Sequence, residues 1–221
     1  MIDLFKSITF GLLLLLPIAN PIFTMILYLG LSKGISAKEH ASIAKKTALN
    51  TFIIMIIVFY IGGLIINIIG VSIPGLRISG GLIILLLGFR MLLPPTESKK
   101  DITSVDSDDR DISLIPLAMP GTVGPGTMAV IISYASTLKN GMMFSTLSVN
   151  ITPLLVFLIF ALLVWGAIRS SSTIIKCLGN HGLKALSQIL GFVLISMGVQ
   201  FIINGIHQVL VMWMAVSAHT T

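Results

Sequence analysis

Residues 15–23 read LLPIANPIF, so two prolines and an asparagine interrupt an apolar run that otherwise continues from residue 3 to residue 31. A second apolar stretch, LAMPGTVGPGTM at 117–128, carries the same kind of interruption. In a lipid-embedded helix each proline withholds one N–H, and the carbonyl four residues earlier loses its partner. Pro17 and Pro21 free the carbonyls of Leu13 and Pro17, and Pro120 and Pro125 free those of Pro116 and Gly121. An orphan backbone group in hydrocarbon costs several kcal/mol. Two such breaks are therefore expected only where the backbone faces protein, water, ions or a polar ligand, which predicts a cavity.

The breaks also have a restart chemistry. Asn20 before Pro21 supplies an N-cap followed by proline at the first helical position, and Gly124 before Pro125 is a weaker version of the same start. Each restarted half-helix directs free N–H groups and about half a unit of positive charge toward the cavity. The half-helices before the breaks end in free carbonyls. Donors on one side and acceptors on the other suit a small zwitterion. The substrate-binding residues expected from this reading are Asn20, Pro21, Ile22, Phe23 and Thr24 in the first break, and Thr122, Gly124, Pro125, Gly126 and Thr127 in the second. Asn50, Asn150 and Thr152, at the starts of later spans and nearer the surfaces, are candidate gate or cation residues. The opposing reading is that the prolines only kink the helices and the threonine hydroxyls bond their own backbone.

Working outward, the whole chain has the composition of a membrane protein. Of 221 residues, 55% are hydrophobic and 10% charged, and the mean hydropathy is +1.03. Apolar runs near 3–31, 47–69, 77–93, 113–138, 143–168 and 185–210 are long enough for helices crossing about 30 Å of hydrocarbon, and barrel strands would be half as long. The expected fold is an all-α membrane protein of six transmembrane helices, with helices 1 and 4 broken near the bilayer midplane. The first run continues too far for a signal peptide and reads as a retained helix. The single cysteine, Cys177, excludes an internal disulfide or a multi-cysteine metal site.

The net charge of +6 is arranged by topology, which argues against nucleic acid as its cause. Lys6, Arg77 and Lys139 fall on the side shared by the termini, and the other eleven basic residues fall opposite. The richer side is cytoplasmic, so both termini are expected to be periplasmic. The polar stretch 96–111, TESKKDITSVDSDDRD, is a cytoplasmic linker separating a first three-helix repeat at 1–95 from a second at 112–221. A shift of 103 places Pro17 on Pro120 and Thr24-Met25 on Thr127-Met128. A shift of 110 places Gly81 and Gly88 on Gly191 and Gly198. An odd number of spans per half makes the repeats inverted, as in many secondary transporters.

Several chemistries lack their residues. No Asp or Glu lies inside an expected span, so a carboxylate proton relay is unsupported. The four histidines are scattered without metal or nucleophile spacing, and no enzyme is expected. GTVGPGT lacks the lysine of a phosphate loop. Arg77 and Arg90 flank the third span and are expected to snorkel to the interface. Gly80-Gly81, Gly62-Gly63, Gly88, Gly191 and Gly198 are expected to allow close helix packing.

LLPIANP, PLAMPGTVGPGT, IPGLRISGGLIILLLGFRML and the C-terminal MGVQFIINGI together resemble the MarC family of bacterial inner-membrane proteins, in order and spacing and over nearly the whole chain. The family includes SnatA-type carriers. The resemblance implies a bacterial inner-membrane protein that transports small neutral amino acids such as glycine and alanine, driven by a cation gradient. No bound cofactor is expected, and the choice between Na+ and H+ as coupling ion stays open. The expected partners are a small zwitterionic substrate and the lipid bilayer, with a homo-oligomer plausible because six spans make a small cavity wall. The alternatives are an exporter of amino acids or other small solutes, and a non-transporting membrane scaffold.

Overall fold

The computed structural model describes residues 2–32, 36–93, 112–140 and 146–218, and every regular element among them is helical. Seven α-helices follow in order: α1 (Ile2–Ala19), α2 (Pro21–Leu31), α3 (Ala37–Ile69), α4 (Ile73–Leu92), α5 (Pro125–Asn140), α6 (Thr146–Arg169) and α7 (Ser171–Ala218). Between α4 and α5 lies a wide-turned π-type segment, Ser113–Thr122. The linker expected at 96–111 lies outside the described residues.

Local chemistry fixes most helix ends. Ser36 and Glu39 form a reciprocal capping box at the start of α3, with the Ser36 N–H donating to Glu39 Oε2 at 2.9 Å. α3 stops at Gly70, whose φ of 80° is left-handed and whose N–H closes back on the Asn67 carbonyl. Ser72 then caps α4, with Pro74 in its first turn. Inside α7 only Gly179 leaves helical geometry, with φ 63° and ψ 176°, which a residue lacking Cβ tolerates.

Among the described residues, five helical stretches are long and apolar enough to cross a membrane: Phe5–Leu29, Lys38–Ile69, Ile73–Leu92, Ile151–Arg169 and His181–Met214. The span expected at 113–138 is divided. Its first part is the ten-residue π-type segment, with non-helical backbone at Ile115 and Met119, and its second is the 16-residue α5. Neither part alone matches the roughly 20 residues of an unbroken crossing.

The interior is built where α6 packs on α1, α2 and α3, and where α3 packs on the 113–122 segment and α5. Tyr28, Met55, Leu117, Phe157 and Phe160 are fully enclosed there, and Phe59 meets Phe157 edge to face with ring centroids 5.8 Å apart. The Tyr28 hydroxyl hydrogen-bonds His40 Nδ1 and ties the end of α2 to the start of α3. The outward faces carry Leu13, Leu64, Ile68 and many other exposed apolar side chains, as a lipid-facing surface requires.

α4 and α7 share the most extensive contact in the fold. A Cβ on Gly81 would stand 2.7 Å from the Gly198 carbonyl, and one on Gly198 would stand 2.8 Å from the Gly81 carbonyl. Gly88 and Gly191 repeat the reciprocal contact at 2.8 and 2.9 Å. Numbers rise along one helix as they fall along the other, so the pair is antiparallel, with backbones touching at two crossings one heptad apart. Arg77 departs from the expected snorkelling. Its Nε donates to Ser133 Oγ at 2.6 Å and its Nη1 to Gln208 Oε1 at 3.0 Å, bracing α4 against α5 and α7. The partners lie far off in sequence, so composition around Arg77 gave no sign of them.

Candidate functional site

The chain leaves helical geometry at one residue between α1 and α2. Pro17 sits inside α1 without ending it, and the interruption falls at Asn20, with φ 26° and ψ 88°. This left-handed backbone is costly for most side chains and least so for Asn, Asp and Gly. The Asn20 carboxamide oxygen accepts the N–H groups of Ile22 and Phe23, each at 3.2 Å, and caps α2. The Thr24 N–H returns to the Asn20 carbonyl at 3.3 Å. The first-turn donors of α2 are thus occupied by the chain itself.

The carboxamide nitrogen of Asn20 is different. Asn20 is 3% exposed, and its Nδ2 has no hydrogen-bond partner in the protein. The oxygen is fixed by two donors, so the nitrogen must take the other direction. A buried donor without a partner costs about 1–3 kcal/mol.

The second interruption is longer. In the 113–122 segment the N–H of Leu117 reaches back five residues to Ile112, and that of Val123 to Ala118. Val123 and Gly124 then lead into α5, where the Met128 N–H closes on the Gly124 carbonyl at 2.9 Å. By helix geometry the amides of Gly126 and Thr127 precede the first intrahelical donor and point out of the start of α5.

Three threonines join the breaks. Thr24 and Thr122 are 0% and 1% exposed, and their hydroxyls lie 2.9 Å apart. Each hydroxyl also has a backbone acceptor in reach, the Leu117 carbonyl at 3.0 Å for Thr122 and the Asn20 carbonyl at 3.4 Å for Thr24, so either can be the donor between the two. Thr127 Oγ1 donates to the Thr122 carbonyl at 3.2 Å. These hydroxyls clamp one interruption onto the other and retain only lone pairs for a ligand. A double-mutant cycle of Thr24→Val and Thr122→Val is expected to give a coupling of about 1 kcal/mol in thermal unfolding. Thr122→Val alone should be the more damaging single change, since its bond to the Leu117 carbonyl at 3.0 Å is the shorter, and the Asn20 carbonyl that Thr24→Val gives up at 3.4 Å keeps the Thr24 N–H.

Beside this clamp lies a cavity of about 670 Å³, within the roughly 300–1,000 Å³ typical of small-molecule sites. Asn20, Phe23, Gly121, Thr122, Gly124 and Thr127 line it from the two breaks, with Ile18 from the end of α1. Leu87, Arg90 and Met91 of α4, Leu93 just after it, and Leu194 of α7 complete the wall. Of the residues expected at the site, Thr24 is one bond behind the lining, while Pro21, Ile22, Pro125 and Gly126 shape the helix starts without lining the cavity. Asn50 stands apart, its Nδ2 donating to Ser113 Oγ at 3.3 Å. Thr152 is buried with an unpartnered hydroxyl and is not among the lining residues. The side chain of Asn150 lies outside the described residues. Arg90 is the residue that sequence reasoning missed, because a lone cation at a span end has the same signature whether it faces headgroups or a cavity.

The whole chain, breaks and α4–α7 pair included, has known relatives. The description "MarC family integral membrane protein" matches residues 5–210. The chain belongs to the MarC family. Over 217 residues it is 43% identical to proteins named inner membrane protein MarC from Citrobacter koseri, Salmonella typhimurium and Escherichia coli. Each alignment covers 95% of this chain and 98% of the relative. No solved structure matches it significantly. Both of its interruptions, and every residue lining the cavity, fall within the stretch that matches the MarC family. It is thus a multi-pass integral protein of the inner membrane.

Proposed function

We propose that this chain is a secondary carrier of small neutral amino acids of the glycine and alanine class, cation-coupled and working by alternating access. The observation that carries the reading is the cavity beside two interrupted helices, lined by Asn20, whose buried Nδ2 has no partner in the protein, by Gly124 and Thr127 at the start of α5, and by the cationic Arg90. No acid is among the lining residues. A substrate carboxylate suits that wall, and backbone carbonyls at the breaks suit an ammonium group. Polar backbone of this kind inside an apolar protein is characteristic of carrier sites near the bilayer midplane.

The inverted-repeat reading has support in the α4–α7 pair. A shift of 110 residues carries Gly81 onto Gly191 and Gly88 onto Gly198, so it turns the Gly81–Gly198 crossing into Gly191–Gly88. A twofold relation between halves requires this exchange. The packing of α6 on α1 and α2, answered by that of α3 on the 113–122 segment and α5, follows the same exchange. In this reading both termini are periplasmic.

The test is uptake of labelled glycine and alanine into vesicles holding the purified full chain, with and without a Na+ or H+ gradient. Gradient-dependent accumulation is expected, and Arg90→Gln should raise KM about tenfold as the charge facing the carboxylate is lost. Vesicles that neither take up nor release either amino acid would refute the reading, and release without uptake would favour an exporter.

A further inference from the structure

α7 has two contrasting faces. Gly191, Gly198 and Gly205 are buried against α4, while Ser196, Gln200, Asn204 and His207 are exposed. At about 100° per residue the four polar residues lie within about 60° of the point opposite the glycines. They therefore form one outward stripe on a helix whose apolar stretch runs from His181 to Met214. Gln200 and Asn204 are two and six residues beyond Gly198, or about 3 and 9 Å along the axis. The middle of that stretch is where hydrocarbon, with a half-thickness of about 15 Å, is expected.

The Ser196 hydroxyl is satisfied within the helix by the Phe192 carbonyl at 3.1 Å. The amides are satisfied only in part. Gln200 Nε2 donates to Asn204 Oδ1 at 2.9 Å, which leaves the Gln200 oxygen and the Asn204 nitrogen pointing outward. Lipid tails offer neither donor nor acceptor. The stripe therefore needs a polypeptide cover with amide-like chemistry at the same depth.

We propose that this stripe is the interface with a second copy of the chain. Copies inserted in the same direction and related by a twofold axis along the membrane normal bring α7 beside α7 in parallel, with Gln200 facing Gln200 and Asn204 facing Asn204. A carboxamide is its own complement, since each carries both donor and acceptor, and such amides associate membrane helices. The flanking Ile189, Phe192, Ile203 and Leu210 are 50% or more exposed and supply the apolar surround. The glycine seam with α4 lies on the far side of the helix, so pairing leaves the fold within each copy intact. The proposal does not depend on the carrier reading.

The experiment is single-molecule photobleaching of the full chain in phosphatidylcholine vesicles across a range of protein densities. The unaltered chain should bleach in two steps and separate on dilution, and Gln200→Leu with Asn204→Leu should move the dissociation midpoint about tenfold toward higher density. Leucine on a lipid-exposed face leaves the monomer folded, which a thermal melt verifies. In a Cys177→Ser background, Ile203→Cys should cross-link between copies under mild oxidation, and Leu64→Cys on α3 should not. Single-step bleaching at every density, or an unmoved midpoint in the double variant, would overturn the proposal.

Discussion

Gly81→Ala is expected to lower the thermal stability of the folded chain sharply, by about 3 kcal/mol, although alanine is the better helix former by up to about 1 kcal/mol. The added methyl would stand 2.7 Å from the Gly198 carbonyl and 3.2 Å from the Ile202 amide. Overpacking is cheap where the obstacle is the tip of a flexible side chain. Here it is backbone on a neighbouring helix, and relief means parting α4 from α7. That parting would open the Gly88–Gly191 crossing too, so the loss extends along the whole contact. Gly63→Ala is the matched control. Gly63 lies inside α3 with no atom within 4 Å of an added Cβ, and its substitution should leave the melting temperature unchanged or raise it slightly. Equal melting temperatures for the two variants would contradict the close approach of α4 and α7.

The second large effect is expected at Asn20, where fold and function can be separated. Asn20→Ala loses the cap on α2, at about 1 kcal/mol, and puts a Cβ without compensating hydrogen bonds at φ 26°, at about 1–2 kcal/mol more. Asn20→Gly accepts that backbone freely, and glycine at an N-cap costs only a few tenths of a kcal/mol. Both variants remove the unpartnered Nδ2 from a residue that lines the cavity. In the carrier reading, both should therefore weaken stabilisation by alanine or glycine about tenfold, while only Asn20→Ala should also lower the melting temperature of the free protein. A glycine variant that binds as the parent does would remove the Asn20 amide from the substrate site.

The residues explain why some of this could be read in advance. Asn20-Pro21 is a local signal, because both the cap acceptor and the preset φ of proline act on the next turn, and the helix does restart at Pro21. The all-helical class follows from the length of the apolar runs. Partners distant in sequence left no such trace. The sequence shift paired Gly81 with Gly191 as equivalents, yet in space Gly81 meets Gly198, a choice made by helix direction and not by composition. Arg77 and Arg90 looked alike at the two ends of one span. One is held by Ser133 and Gln208 and the other lines the cavity, a difference set by side chains far off in sequence. Asn20 was expected to leave the Ile22 and Phe23 amides free for a ligand, but its own oxygen occupies them, since an N-cap that suits its helix is the nearest acceptor available.

The reciprocal glycines between α4 and α7 have a genetic consequence. When a bulky residue intrudes on an ordinary core, shrinking its neighbour can restore the fit. At Gly81, Gly88 and Gly198 the nearest obstructing atom is a glycine carbonyl oxygen, and at Gly191 it is the Leu92 backbone nitrogen, so trimming the Ile202, Ile195 or Leu85 side chains that also crowd these sites would leave backbone in the way. A screen for second-site suppressors of a substitution at any of the four should recover little from the opposite helix, leaving same-codon reversion as the main route back.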